Sequence, residues 1–267
     1  MRNGDWSRNI RYEIIPTPSV EERVVESVPL TVPVTITASP SKGLGPTLAL
    51  TERLAARGYR VVPHVSARLV VDDVHLKEIV ERLVRAGVDD VFVPAGDADP
   101  PAGRYHGALP LLAELTALGR PFRHVGITGY PQSHPSIDDD IVVQAMWDKR
   151  THATYIVSNL CFDAAVLTAW VRRVRRRGVD LPIRIGLAGP VARTKLLSMA
   201  GKIGVAESAR FLGRHLSWFA RIATTYSPDA LLAKVTPELS TPDLSVAGLH
   251  VYTFNQLAEA ERWRTGR

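Results

Sequence analysis

Eight short β-rich runs recur along the chain, and helical segments separate most of them. The runs are Arg11–Pro16, Val32–Ser39, Arg60–Ala67, Asp90–Ala95, Phe122–Tyr130, Thr154–Leu160, Pro182–Ala188 and Leu249–Phe254. Most are continuous apolar stretches rather than strict alternations, the pattern of parallel strands covered on both faces. The intervening segments carry helix punctuation. Pro46–Arg57 has proline near its start and Gly58 just past its end, the expected asymmetry. Asp72–Ala86 offers Asp72 or Asp73 as a cap and Gly87 as a stop. Ala108–Leu118 ends at Gly119, Asp138–His152 follows, and Asp163–Arg177 runs from a capping Asp163 to Gly178.

Eight β/α repeats in 267 residues match the count and length of an α/β (β/α)8 TIM barrel. An open, doubly wound sheet is the main competitor. Against it, no GxGxxG follows the first strand; the Gly43-Leu44-Gly45-Pro46 turn lacks the third glycine and carries a proline. The segment Thr194–Leu244 is longer than one repeat needs. It is expected to hold two or three extra helices before the last strand, packed outside the barrel. With no linker, low-complexity tract or internal repeat, residues 1–267 read as one catalytic domain.

Composition narrows the class. A chain this long buries about three quarters of its unfolded surface, so its core needs no staples. One cysteine, Cys161, excludes an intramolecular disulfide framework and a cysteine-rich metal site. Mean hydropathy is near zero, no apolar run is long enough to span a bilayer, and residues 1–6 lack a signal-type stretch. A soluble, cytoplasmic protein with no membrane partner is expected. The net charge is +6. The densest basic run, Arg172-Arg173-Val174-Arg175-Arg176-Arg177, closes an apolar-periodic helix, where cations suit the helix dipole. A solvated helix end accounts for it better than nucleic-acid binding, which would cluster cations with aromatics on one surface.

A TIM barrel carries its active site at the C-terminal ends of its strands, so the polar residues closing each run are the candidates. Glu13 interrupts the apolar run Tyr12-Glu13-Ile14-Ile15. Facing the barrel interior it would be desolvated and its pKa raised, which suits a general acid near neutral pH; alternatively it only salt-bridges Arg11 or Arg60. Asp97 ends the fourth run behind Gly96, which permits close backbone approach to a ligand; a turn or cap role is the alternative. His64, in Val62-Pro63-His64-Val65-Ser66, could equally be a hydrogen-bonded core residue. His134 lies in Gly129-Tyr130-Pro131-Gln132-Ser133-His134-Pro135, stiffened by two prolines. Asn159 offers a donor and an acceptor to a heterocyclic amide edge, or merely caps its strand. No HExxH or Cys/His cluster supports zinc, and no GxSxG supports a serine hydrolase. Cys161, between Leu160 and Phe162, suits an inert buried thiol.

Taken in chain order, these strand ends resemble the methylenetetrahydrofolate reductase family over roughly residues 10–260. Tyr12-Glu13-Ile14-Ile15-Pro16-Thr17-Pro18 is similar to the family's E-F-F-P-P segment. Pro63-His64-Val65 is similar to its P-H-L, and Ala95-Gly96-Asp97 to its R-G-D. Gly129–Pro135 is similar to its Y-P-E-x-H-P, the most specific match, and Ile156–Asp163 to its I-T-Q-F-F-F-D. Val251-Tyr252-Thr253-Phe254-Asn255 is a softer match to F-Y-T-L-N.

The resemblance implies reduction of 5,10-methylenetetrahydrofolate to 5-methyltetrahydrofolate with NADH or NADPH, a step of one-carbon metabolism and methionine biosynthesis. It implies that Glu13 is the general acid and that Asp97, Asn159 and Gln132 meet the folate. It implies that His64, Ser66, Gly96, Tyr130 and His134 line the cofactor region. The departures bear on FMN, the family's flavin. The R-G-D arginine is Ala95, and the lysine facing the flavin aligns with Asp148, although Lys149 or Arg150 could substitute. An aromatic ring is lost at Thr194, and an arginine after the last-strand asparagine is Gln256. A flavin phosphate needs charge-assisted donors, so FMN is doubtful and direct hydride transfer is expected. The alternatives are a TIM-barrel lyase or proton-transfer enzyme using Glu13 and His64, and a non-catalytic folate-binding protein.

Overall fold

The computed structural model describes residues 6–132, 139–192 and 225–266. Its centre is an eight-stranded parallel sheet. The strands are β1 (Ile10–Ile14), β2 (Val34–Ile36), β3 (Val61–Pro63), β4 (Asp90–Phe92), β5 (His124–Gly129), β6 (Tyr155–Ser158), β7 (Ile183–Ala188) and β10 (Val246–Tyr252). Their hydrogen-bonded order is β3-β2-β1-β10-β7-β6-β5-β4. The two edges then meet: His64 bridges Phe92, and the Val65 N–H donates to the Phe92 carbonyl at 2.8 Å. The sheet is thereby wrapped into a nearly closed barrel, the α/β TIM barrel expected from the repeat count. A two-stranded antiparallel ladder, β8 (Val191–Ala192) with β9 (Thr225–Tyr226), stands apart from it.

Helices cover the outside: α1 (Val20–Ser27), α2 (Gly45–Ala56), α3 (Asp73–Arg85), α4 (Ala108–Ala117), α5 (Asp139–Lys149), α6 (Ala164–Arg176), α7 (Asp229–Leu239) and α8 (Leu257–Thr265). The caps fall where the side chains direct. Asp72 accepts from the His75 N–H at 2.9 Å, and Asp163 from the N–H groups of Ala165 and Val166. The sequence pattern passed over α1 and α8. Both are short, and α1 opens within a Glu- and Val-mixed stretch that has no glycine stop. Of the extra helices expected over Thr194–Leu244, α7 and a 3-10 turn at Pro242–Leu244 lie within the described residues, and residues 193–224 lie outside them.

Seven of the eight strands are shorter than their apolar runs at the C-terminal end. Residues such as Ser39, Ala67 and Ala95 carry the run past the ladder into the mouth of the barrel. Alternation assigns each side chain to a face. On β1, Ile10, Tyr12 and Ile14 point out to the helices, and the Tyr12 hydroxyl bonds the Ala260 carbonyl at 3.1 Å on α8. Arg11 and Glu13 point in.

The barrel floor is ionic. Arg11 donates to the Tyr155 hydroxyl at 2.8 Å and pairs with Asp90 at 3.2 Å, while the Tyr155 hydroxyl donates to Asp90 at 2.8 Å. Gly126 makes room for this layer, since a Cβ there would collide with the Tyr155 ring. At the arginine-rich end of α6, expected as a solvated helix end, two arginines make contacts beyond the helix. Arg172 pairs with Glu238 on α7 at 2.7 Å, and Arg175 donates to the carbonyls of Val179, Leu244 and Ser245.

Candidate active site

Three strands aim polar side chains at one point inside the barrel. The ladder between β1 and β10 sets Arg11 beside His250 and Glu13 beside Tyr252. From this register the His250 Nε2 reaches Glu13 Oε2 at 2.8 Å. His64, at the end of β3, brings its own Nε2 to 3.5 Å from the same oxygen. Rings pack around the group: His64 lies against Phe92 with centroids 4.8 Å apart, and His250 meets Tyr252 edge-on at 5.0 Å. The Glu13 side chain is 14% exposed and that of His250 only 1%.

The backbone of Glu13 is held as firmly as its carboxylate. The Thr253 hydroxyl donates to the Glu13 carbonyl at 2.6 Å. Two residues on, the Asn255 amide takes both polar groups of Ile15, accepting from its N–H and donating to its carbonyl at 2.9 Å each. Asn255 holds φ at +59°, a left-handed conformation that asparagine tolerates better than most residues. β10 thus fixes where the first strand ends and where its carboxylate points.

The electrostatics overturn one expectation. Burial by itself pushes the Glu13 carboxyl up, but the hydrogen bonds and charges of His250 and His64 pull it down further, to about 2. Glu13 is therefore not an acid with a raised pKa, because its inward position puts two imidazoles beside it rather than apolar walls. The salt bridges weighed for it are not formed: Arg11 is engaged with Asp90 and Tyr155, and Arg60 donates to the Thr31 carbonyl. His250 is itself shifted down, by burial first, with Arg11 and His64 adding to that and Glu13 opposing it. Tyr252 is held well above its ordinary value by burial, with Glu13 and Tyr130 adding to it.

The other sequence candidates fall as follows. Asp97 is exposed on the loop after β4. Gly96, with φ +85°, makes a close approach, but to Ser66: a Cβ there would lie 3.0 Å from the Ser66 Cβ. Ser66 is buried, and Tyr130 and Gln132 are half-buried on the loop after β5. Asn159 is exposed at the end of β6, and its side-chain oxygen accepts from the Leu160 N–H at 2.8 Å. That oxygen thus takes the strand-end capping role. His134 lies outside the described residues. Cys161 is buried, and burial raises its thiol to about 11, the inert state expected. Among the described residues no group of His, Cys, Asp and Glu is arranged to hold a metal ion.

Sequence reasoning missed His250. The signal was present: Leu249-His250-Val251 is an apolar run broken by one polar residue, as Tyr12-Glu13-Ile14 is. Two such interruptions on strands that prove to be neighbours mark the inside of the barrel.

A nearly closed barrel with a carboxylate between two histidines inside it is the architecture of a TIM-barrel enzyme. The family model for methylenetetrahydrofolate reductase matches residues 19–261, and the chain belongs to that family. Solved structures agree on the fold. An oxaloacetate acetylhydrolase superposes with a TM-score of 0.58 at 10% identity, covering 96% of this chain and 79% of its own. A dihydropteroate synthase from Thermus thermophilus gives 0.47 at 14% identity, with 100% and 99% covered, a score too low to carry weight. No described helix is long and apolar enough to cross a membrane.

Proposed function

We propose that the chain reduces 5,10-methylenetetrahydrofolate to 5-methyltetrahydrofolate with NADH or NADPH, hydride passing directly from the nicotinamide to the folate. Family membership supports the folate chemistry. The observation that carries the reading is the carboxylate of Glu13, held inside the barrel on two imidazoles. Opening the methylene bridge requires a proton on a pterin nitrogen, and the iminium formed then accepts hydride. The resemblance assigns that proton transfer to Glu13, whose register on β1 is fixed by Thr253 and Asn255.

The remaining roles are assigned on the same basis. Asp97 is exposed at the strand ends and meets the guanidine-like edge of the pterin as a charge-assisted acceptor. Asn159 contributes its amide nitrogen, since its oxygen is committed to Leu160. Gln132 adds an amide contact from the loop after β5. His64, Ser66, Gly96 and Tyr130 line the side taken by the nicotinamide, with His134 assigned there from the sequence alone.

Two of the positions that the resemblance aligns with the family's flavin donors support the flavin-free reading. Ala95 brings no donor, and Asp148 is an acceptor already bonded by Gln144 at 2.8 Å. Arg150 lies over the Trp147 ring, 3.4 Å from its centroid, and donates to that residue's carbonyl. The reading is tested by NADH oxidation with methylenetetrahydrofolate, with and without added FMN, and by the visible spectrum of the purified protein. Turnover that needs no flavin is the expected result. Stoichiometric absorbance near about 450 nm, general to oxidised flavins, would sink the flavin-free mechanism.

A further inference from the structure

We propose that Arg68 is a positioning residue for the folate: its guanidinium ties down the loop after β4 and so fixes where Asp97 stands. The folate side of this rests on the reading of Asp97 as the contact for the pterin edge; the tie itself does not.

Residues 93–107 carry the chain from β4 to α4. Backbone bonds join this loop to the segment after β3 on either side of Asp97. Before it, the N–H groups of Ala67 and Arg68 donate to the carbonyls of Pro94 and Ala95 at 3.0 and 2.9 Å. After it, the N–H groups of Ala102 and Arg104 donate to the carbonyls of Arg68 and Val71 at 2.8 and 3.0 Å. Gly103 permits that second approach, since a Cβ there would stand 1.9 Å from the Val71 carbonyl oxygen.

Between these two seams, among the described residues, the hydrogen bonds of residues 96–101 run to one side chain. It belongs to Arg68, on a 3-10 turn at Ala67–Leu69. Its Nε donates to the Ala98 carbonyl at 2.6 Å, Nη2 to the Asp99 carboxylate at 3.2 Å, and Nη1 to the His106 carbonyl at 3.3 Å. The Asp99 contact is weak, because that carboxylate is 90% exposed and water screens it. The short bond to Ala98 is charge-assisted and stronger, and Ala98 is buried. Asp97 therefore stands between two anchored neighbours: Gly96, packed against Ser66, and Ala98, held by Arg68.

Arginine suits this task by its geometry. Its planar fork presents donors in several fixed directions and so spans three acceptors, whereas a lysine ammonium offers its donors at one point. The benefit to binding is preorganisation. Asp97 is exposed, and an exposed carboxylate on an untied loop would have to be ordered when the ligand arrives, at a cost in affinity. With the loop tied in advance, that ordering is complete before the folate binds.

Two measurements test this. The first compares KM and kcat for methylenetetrahydrofolate in Arg68→Ala, Arg68→Lys, Asp97→Asn and the double variant Arg68→Ala with Asp97→Asn. Arg68→Ala is expected to raise KM by about 10-fold, the worth of one contact to a charged group, with kcat within about twofold. Arg68→Lys is expected to recover part of that rise. In the double variant, loss of Arg68 is expected to add nothing to the rise caused by Asp97→Asn, because the two residues act through one contact. An unchanged KM in Arg68→Ala, a wild-type KM in Arg68→Lys, or fully additive rises would each overturn the proposal. The second measurement needs no turnover: backbone ¹⁵N order parameters of residues 96–99 are compared in the wild type and Arg68→Ala. They are expected to fall from about 0.85, the rigid range, to below about 0.6. Equal values in the two proteins overturn the tie. A wild-type protein without folate activity would count against the substrate reading, and the order parameters would then decide the tie by themselves.

Discussion

Asn255 and Ile15, 240 positions apart in sequence, are joined as two strand residues would be: one side-chain amide replaces the missing ladder partner and satisfies both polar groups of the Ile15 backbone. This clamp sits two residues beyond Glu13, with Asn255 buried and Ile15 half-buried. Asn255→Ala is expected to lower stability by about 2–3 kcal/mol. Two hydrogen bonds at about 1 kcal/mol each are lost, the half-buried Ile15 backbone groups lose their partner, and alanine takes a left-handed conformation less readily. The urea midpoint should fall with an unchanged slope. A midpoint within error of wild type would show that the clamp does not hold the strand.

Glu13→Gln separates chemistry from binding. The amide keeps the shape and can still bond His250, but it carries no transferable proton. NADH-dependent reduction is expected to fall by about 10²–10⁴-fold, with folate affinity, measured by equilibrium titration, largely kept. Turnover at the native rate would remove Glu13 from the mechanism and return the site to the class of folate-binding proteins without catalysis.

Acid should unfold this protein in two overlapping stages. Both members of the pair have folded-state values below their ordinary ones. A group depressed in this way contributes stability above its unfolded pKa when it is a carboxylate, and that contribution is lost as pH falls through the folded one. For a histidine held neutral by burial the sign is the same, since the unfolded chain takes up the proton first. For His250 the loss begins below 6.5. For Glu13 it falls between 4.5 and about 2. Stability measured by denaturant melts from pH 7 to 3 should therefore decline, and the lower part of the decline should be missing in Glu13→Gln. An identical pH dependence in the two proteins would contradict the depressed carboxyl.

How much of this was legible in the sequence differs between the frame and the site. The barrel was readable because eight buried parallel strands leave eight apolar runs, and Asp72, Asp163, Gly58 and Gly178 mark where helices begin and stop. Glu13 was readable as a candidate because a carboxylate inside an apolar run has few bland explanations. Its protonation was not, because the sign depends on what lies opposite: an apolar wall raises a carboxyl, whereas His250 and His64 lower it. Of these, His250 comes from 237 positions later and His64 from another strand, and only the closed barrel brings them together. Asn159 shows the same limit. Its residue type suits a ligand amide, but the turn after β6 has already claimed its oxygen.

The ionic floor of the barrel bears on the site above it. Arg11 is 4% exposed and balances Asp90 and Tyr155, so deleting either charge leaves the other buried without its partner. Arg11→Met should cost about 3–5 kcal/mol, the usual penalty for breaking a buried pair from one side. Arg11→Met combined with Asp90→Leu should cost much less than the sum of the single changes, because no charge is then stranded. Arg11 also stands beside His250 in the ladder and holds its proton affinity down. In the Arg11→Met protein the His250 transition, read from its ¹⁵N shifts, should therefore move to higher pH. The double variant separates the two effects: it should recover stability while the His250 shift persists, since Asp90 is not among the groups acting on that ring. Should stability and titration recover together, the floor would act on His250 through packing and not through the charge of Arg11.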